Sequence, residues 1–266
     1  MKRQVSDMQL IRNLYNYREL LKTNIKKEIR GKYKGSALGI LWSFINPLLQ
    51  CAVYAIVFPF IMRDGPDNFL IYLICGIIPW TYFTTVIGQG CVTIRANAGI
   101  IKKVYFPREI LPISVVLSGL VNFMISCVII LAFVVFGGLG ISWHLILLPL
   151  IAFFQSFFSL GLAFILSALN IYIKDTEYIV GFILNMAFYA TPILYSPTSF
   201  GGIKLFEIVF KLNPMATYVN AYRDIFMYHQ LPDMNWLIIT GIVSIVLSVV
   251  GYFIFKKLEK GFAEEI

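Results

Sequence analysis

Six stretches of the chain contain no Asp, Glu, Lys or Arg: Leu38–Met62, Phe69–Gly90, Ile113–Gly137, His144–Leu169, Tyr178–Ser196 and Trp236–Phe255. They run from 19 to 26 residues. At a rise of about 1.5 Å per residue each predicts a helix able to cross a hydrocarbon core of about 30 Å, the shortest only just. The expected fold is an all-α integral membrane protein with six transmembrane helices. Ahead of them, between Asp7 and Lys34, Leu10, Leu14, Tyr17, Leu21, Ile25 and Ile29 recur at spacings of three and four, while Arg12, Arg18, Lys22, Lys26 and Lys27 fill other faces. That pattern predicts an amphipathic helix in the headgroup layer, serving either as a simple anchor or as a surface that also abuts a cytoplasmic partner. The chain divides accordingly into a cytoplasmic N-terminus, residues 1–37, and one six-helix membrane domain, residues 38–266.

Two connections are too long for tight turns. Cys91 to Pro112 is rich in cations, and its centre, Ile100 to Glu109, alternates apolar and charged residues. A short helix ended by Pro107 is expected there. Its apolar residues suit a protein contact, or burial of Ile101, Val104 and Phe106 in the headgroups. Pro197 to Asn235 holds apolar runs interrupted by Asn213-Pro214 and followed by Arg223-Asp224, with Lys204, Glu207 and Lys211 making it a poor span. Two short helices that dip into the outer leaflet and return fit this composition. Arg223 and Asp224 would neutralise each other there or reach the water interface.

Charge placement orients the chain. Of 22 Lys and Arg, ten precede Leu38 and eighteen in all fall on the side of the two termini; only Arg63, Lys204, Lys211 and Arg223 fall on the other. This positive-inside bias puts both termini in the cytoplasm and requires an even number of crossings. The net charge of +8 therefore implies no nucleic acid, and membrane lipids are the surrounding partner. Charged residues make up 14% of the chain and the mean hydropathy is +0.78, which excludes an ordinary soluble domain of about 25% charge. Cys51, Cys75, Cys91 and Cys127 lie in spans or at their edges without a CxxC pair, so free buried thiols are expected. The first apolar run starts far from Met1 and is too long for a cleavable leader, so it should itself direct insertion.

Candidate chemistry is concentrated in two spans. Trp42, Asn46, Gln50, Tyr54 and Phe58 follow one another at four-residue spacing in the first, and Gly181, Asn185 and Tyr189 repeat the spacing in the fifth, before Thr191-Pro192 breaks or bends the helix. Amides and flat aromatic faces are what a sugar requires, as hydrogen-bond partners and as stacking surfaces for ring C–H groups. The same amides also serve to join helices in a membrane. Motifs for catalysis are missing: no H-E-x-x-H, no G-x-S-x-G, no paired intramembrane carboxylates, and isolated His144 and His229. No metal site is expected. The spans also lack the ionisable groups that an ion-coupled transporter or flippase uses, which disfavours that alternative. There is no G-x-x-x-x-G-K-[ST] phosphate loop, so a pump built on this chain would take its energy from another polypeptide.

Several segments in order resemble the membrane subunit of bacterial polysaccharide and polyol-phosphate ABC exporters, the group that handles O-antigen, capsule and other surface glycans, and wall teichoic acid. They are Arg30 to Trp42 running into Asn46-Pro47-Leu48-Leu49, Gly76-Ile77-Ile78-Pro79-Trp80, Phe106 to Pro112, Asn170 to Asp175, Thr191-Pro192-Ile193, Asn213-Pro214 and Tyr222-Arg223. Lys174 stands where Arg is expected before the Asp, keeping the charge but losing the planar fork. The resemblance implies a homodimeric permease in the plasma membrane, joined by two copies of a separate ATPase that binds ATP and Mg²⁺, with no cofactor in this chain and a lipid-linked glycan as substrate. It implies that the first and fifth spans line the path, through Trp42, Asn46, Gln50, Tyr54, Phe58, Asn185 and Tyr189. It further implies that Arg95, Ile101, Lys102, Lys103, Phe106, Arg108 and Glu109 form the loop that meets the ATPase, and that Ile203–Met227 holds the re-entrant helices. Arg30, Lys32 and Lys34 would hold the lipid-linker phosphate, although the positive-inside bias accounts for them equally.

Overall fold

The computed structural model describes residue 13 and residues 15–31, 35–37, 39–61, 68–195, 210 and 212–265. Among these residues every regular element is helical. The helices of at least eight residues are α1 (Arg18–Gly31), α2 (Trp42–Ile61), α3 (Phe69–Ala96), α4 (Ile110–Phe136), α5 (Leu148–Tyr172), α6 (Thr176–Ala190), α7 (Pro214–Arg223) and α8 (Met234–Leu258). Four helical stretches are long and apolar enough to cross a membrane: Phe69–Ala96, Ile110–Phe136, Trp143–Tyr172 and Met234–Gly261. Helix α2 carries a shorter apolar stretch, Ile45–Val57.

The expected fifth span, Tyr178–Ser196, is helical only in part. Helix α6 has 15 residues, about 22 Å at the helical rise, which is less than the hydrocarbon thickness. It stops because Pro192 disfavours the helical region for the residue before it, and Thr191 turns extended, with φ −102° and ψ 132°. The apolar run continues past this break into Ile193 and Leu194, which are buried but not helical.

Helix α3 is the centre of the bundle and touches α2, α4, α5, α6 and α7. Its mean hydropathy is 1.8 with 78% of the most apolar window buried, against 2.7 and 28% for α4. The contrast has a physical origin. A helix facing lipid must be apolar, whereas one surrounded by protein can carry small and polar groups that neighbours satisfy. Helices α5 and α8 approach most closely at small residues. A side chain on Gly161 would place its Cβ 2.8 Å from the Leu247 backbone, and one on Gly251 would collide with the Gly161 carbonyl. Ser159, Ser244 and Ser248 are buried in the same two helices. The four cysteines are free and buried, as their positions in apolar sequence implied.

Helix α7 falls on the second of the two apolar runs between the last two expected spans. Asn213 caps it, accepting from the Met215 amide at 3.0 Å, and Pro214 occupies the first turn. The first apolar run, Leu205–Leu212, lies outside the described residues apart from Phe210 and Leu212. Buried tyrosines tie α7 into the bundle: Tyr218 shares a hydrogen bond with Ser244 of α8 at 2.6 Å, and Tyr222 donates to Gln155 of α5 at 2.8 Å. Gln155 in turn donates to the Pro79 carbonyl of α3 at 3.0 Å. Arg223 and Asp224 do not pair. Arg223 turns to backbone carbonyls, and the Asp224 carboxylate accepts from Gln230 at 2.6 Å. Burial raises the Asp224 carboxyl from its ordinary value, with the Gln230 hydrogen bond and the Arg223 charge acting against it.

The α5–α8 contact supplies a stability test. Gly251→Leu should destabilise the chain by about 1–3 kcal/mol through overpacking, read as a lower unfolding midpoint in detergent. Gly181→Ala, at a helical position with nothing within 4 Å of the new Cβ, should be neutral or slightly stabilising.

Candidate functional site

Helices α2, α3 and α6 line an open cavity of about 650 Å³. Gln50 and Tyr54 enter it from α2, Trp80, Thr81 and Thr84 from α3, and Gly181, Leu184, Asn185, Met186, Phe188 and Tyr189 from α6. One side is an aromatic wall: the Phe188 ring lies 6.1 Å from Tyr54 in a stacked arrangement, 5.9 Å from Trp80, and 5.4 Å edge-on from Tyr189. The amide of Gln50 approaches the Tyr54 hydroxyl at 3.4 Å. Asn185 makes no hydrogen bond among the described residues, so its amide is available to a solute. Flat faces, amides and threonine hydroxyls together offer the contacts that a polyhydroxylated ring uses.

Four of the seven residues read from sequence as path-lining meet in this cavity: Gln50, Tyr54, Asn185 and Tyr189. Trp42 and Asn46 do not line it. A row at four-residue spacing advances about 40° per step, so its members cannot all face one cavity. The Phe58 side chain lies outside the described residues, as do Lys32, Lys34 and the Arg30 side chain; Arg30 itself belongs to the last turn of α1. Trp80, Thr81 and Thr84 were not singled out as site residues. The available signal was the threonines Thr81, Thr84 and Thr85 soon after Pro79, within a largely apolar span.

The second candidate region is the loop between α3 and α4. Its one-turn helix is Ala98–Ile101, ending well before Pro107, where its end was expected. Beyond it Lys102, Lys103 and Val104 are exposed, and Tyr105 is 93% exposed. Arg95 is exposed at the end of α3, and Ile101 is half-buried. The base of the loop is internal. Phe106 is buried in one apolar cluster with Ile94, Leu111 and Phe262. Glu109 is fully buried and accepts from Lys256 of α8 at 2.7 Å and from Asn13 at 3.0 Å. Arg108 donates to the Glu259 carbonyl at 2.9 Å, and Lys27 of α1 donates to Asn97 at 2.9 Å. Residues Phe106, Arg108 and Glu109 thus hold the loop to both ends of the chain, while Lys102 to Tyr105 form its outer surface.

Four helices of membrane-crossing length, with a polar and aromatic cavity beside one of them, define a polytopic membrane protein of the transport type. The chain belongs to the ABC-2 type transporter family, whose model matches residues 19–227. It is 36% identical over 259 residues to the O-antigen export system permease protein RfbA of Myxococcus xanthus, covering 97% of this chain and all of that protein. A Klebsiella pneumoniae protein of the same description is 36% identical over 248 residues, 92% of this chain and 94% of its own length. The polysialic acid transport protein KpsM of Escherichia coli is 29% identical over 94 residues, 35% of each chain.

The loop base yields a second test. Glu109→Ala removes two hydrogen bonds to a buried carboxylate and should cost about 2–3 kcal/mol, seen as a lower unfolding midpoint, whereas Tyr105→Ala at the exposed tip should leave that midpoint unchanged.

Proposed function

We propose that this chain is the membrane-spanning subunit of an ABC exporter that carries a lipid-linked polysaccharide, of O-antigen or teichoic acid type, outward across the bacterial plasma membrane. The observation that carries the reading is the full-length likeness to O-antigen export permeases. In this reading α2 and α6, with their flanking residues, complete six crossings; both termini are cytoplasmic; and two copies of the chain pair with two copies of an ATPase that binds ATP and Mg²⁺. The aromatic and amide wall at Tyr54, Phe188, Asn185 and Trp80 guides the sugar chain by stacking and hydrogen bonding. Exposed Val104 and Tyr105 between Lys102, Lys103 and Arg108 suit a protein partner, with an apolar centre inside a charged rim. Arg30, Lys32 and Lys34 suit the anionic linker at the cytoplasmic mouth. An ion-driven flippase is disfavoured by the lack of ionisable groups within the apolar stretches.

The test is ATP hydrolysis and glycan transport in lipid vesicles, with the chain alone and with the ATPase encoded beside it. Hydrolysis should require the complex, and transport should require both. Tyr105→Ala should lower coupled transport about tenfold, as loss of an exposed aromatic anchor does at an interface. Asn185→Leu combined with Trp80→Ala should lower transport while ATP hydrolysis persists. Transport that follows an ion gradient with no dependence on the ATPase would refute the reading.

A further inference from the structure

Helix α6 stops at Ala190, within the apolar stretch that would otherwise form a full span. The last four carbonyls of a helix have no partner within it, and lipid supplies none. Here each has a donor. The Ala187 carbonyl accepts from Thr191 Oγ1 at 2.8 Å, and that of Phe188 from the Thr191 amide at 3.4 Å. The Tyr189 carbonyl accepts from the Tyr195 hydroxyl at 2.6 Å, and that of Ala190 from Asn213 Nδ2 at 3.3 Å. The irregular segment beyond is treated in the same way. The Pro192 and Ile193 carbonyls accept from Nη1 and Nη2 of Arg223 at 2.6 and 2.8 Å, and the Tyr195 carbonyl accepts from the Tyr72 hydroxyl at 2.6 Å.

Arg223 is the centre of this joint. It is 1% exposed and lies 3.5 Å from the centroid of the Tyr72 ring. None of the ion pairs among the described residues involves it. Its planar fork reaches two successive carbonyls at once, which the point charge of a lysine does not reproduce. Gly76 leaves room for it: a Cβ there would lie 2.9 Å from Arg223 Nη2 and 3.3 Å from Ile193 Cγ2. Gly76, Pro192 and Arg223, far apart in sequence, meet at this point, and Asn213 at the other end of α7 holds the Ala190 carbonyl. The opposite end of α6 is held differently. Its side-chain bond is local, from Thr176 Oγ1 to the Ile173 carbonyl at 2.6 Å, and Glu177, Tyr178, Ile179, Phe182 and Ile183 are exposed, as Asn185, Met186, Tyr189 and Ala190 are towards the outer end.

We infer that Arg223 is a positioning residue for the cavity wall. It pins the outer end of α6, which sets the direction in which Phe188 and Tyr189 face the cavity, and leaves the cytoplasmic end as the part of the helix that swings. The consequence for transport rests on the export reading above; the pinning itself does not.

The test uses the full chain in lipid nanodiscs, with nitroxide labels on a reference site, Val128→Cys, and on either Ala190→Cys or Tyr178→Cys. The buried native cysteines remain in place, and mass spectrometry checks that they stay unlabelled. The distance distribution from Val128 to Ala190 should be narrow, and that from Val128 to Tyr178 broad. Arg223→Lys should widen the Ala190 distribution about twofold and leave the Tyr178 distribution unchanged. In the complex with its ATPase it should lower transport about tenfold while ATP hydrolysis continues. Gly76→Ala, which displaces the guanidinium without removing it, should widen the Ala190 distribution to a smaller degree and decides the matter if Arg223→Lys does not fold. An Ala190 distribution that is as broad as that of Tyr178 in the native chain, or unchanged in these variants, overturns the inference. Transport that fails in the native complex would instead count against the export reading and leave the distance result standing.

Discussion

A backbone carbonyl released inside a hydrocarbon slab must find a donor within the protein, and much of this structure follows from how the broken end of α6 meets that demand. An unsatisfied buried polar group costs about 1–3 kcal/mol, and a centrally placed arginine about 2.5–3.5 kcal/mol on insertion scales. Separately, the free carbonyls of Pro192 and Ile193 and the buried Arg223 would each destabilise the fold. Together they largely cancel, since two carbonyls accept what one guanidinium donates. Helix α7 has to enter the bundle for this to happen, because it carries Arg223 at its end and Asn213 at its start. The remaining polar groups of α7 follow the same rule, Tyr218 reaching Ser244 and Tyr222 reaching Gln155.

The break in α6 also shapes the cavity. A full-length helix in this position would run on beside α3; the shortened one ends near Trp80, with Phe188 stacked on Tyr54 and tilted against the indole. Little of α6 is packed inside the chain, since only Thr176, Val180 and Phe188 are buried. A wall that touches its own bundle so lightly depends on its pinned end for orientation. The central helix α3 provides the fixed side: its burial is nearly continuous from Ile71 to Trp80, and it meets both the cavity and the Arg223 joint within that run.

The four long spans were legible because lipid-facing and core-facing helices are both apolar over enough length to cross. The end of α6 was not fully legible from hydropathy, which reports burial rather than conformation: Ile193 and Leu194 are as buried as any helical residue but lie in an irregular turn. Thr191-Pro192 carried the true signal. Pairing of Arg223 with Asp224 was poorly founded on geometric grounds, since consecutive helical residues point about 100° apart and do not face each other. The site was partly legible for a similar reason. The amide and aromatic row of α2 was visible in sequence, but the rotation of the helix brings only Gln50 and Tyr54 to the cavity. The contribution of α3 depended on a tertiary arrangement that periodicity does not encode.

The loop between α3 and α4 shows why charge and exposure are separate questions. Lys102, Lys103 and Glu109 are all charged residues of one loop, yet two project to solvent and the third is sealed beneath Lys256, distant in sequence by 147 positions. A fully buried carboxylate is tolerable only with charge-assisted partners, and Glu109 draws them from α8 and from Asn13. Lys27 adds a link from α1 to Asn97. The exposed tip at Tyr105 therefore stands on a base bonded to both ends of the chain. A force applied to such a tip cannot be absorbed by the loop alone, because moving the base requires either breaking the Glu109 contacts or carrying α1 and α8 with it. Breaking them would strand a buried charge, so joint movement is the cheaper response, and the loop acts mechanically as an extension of the helices beneath it.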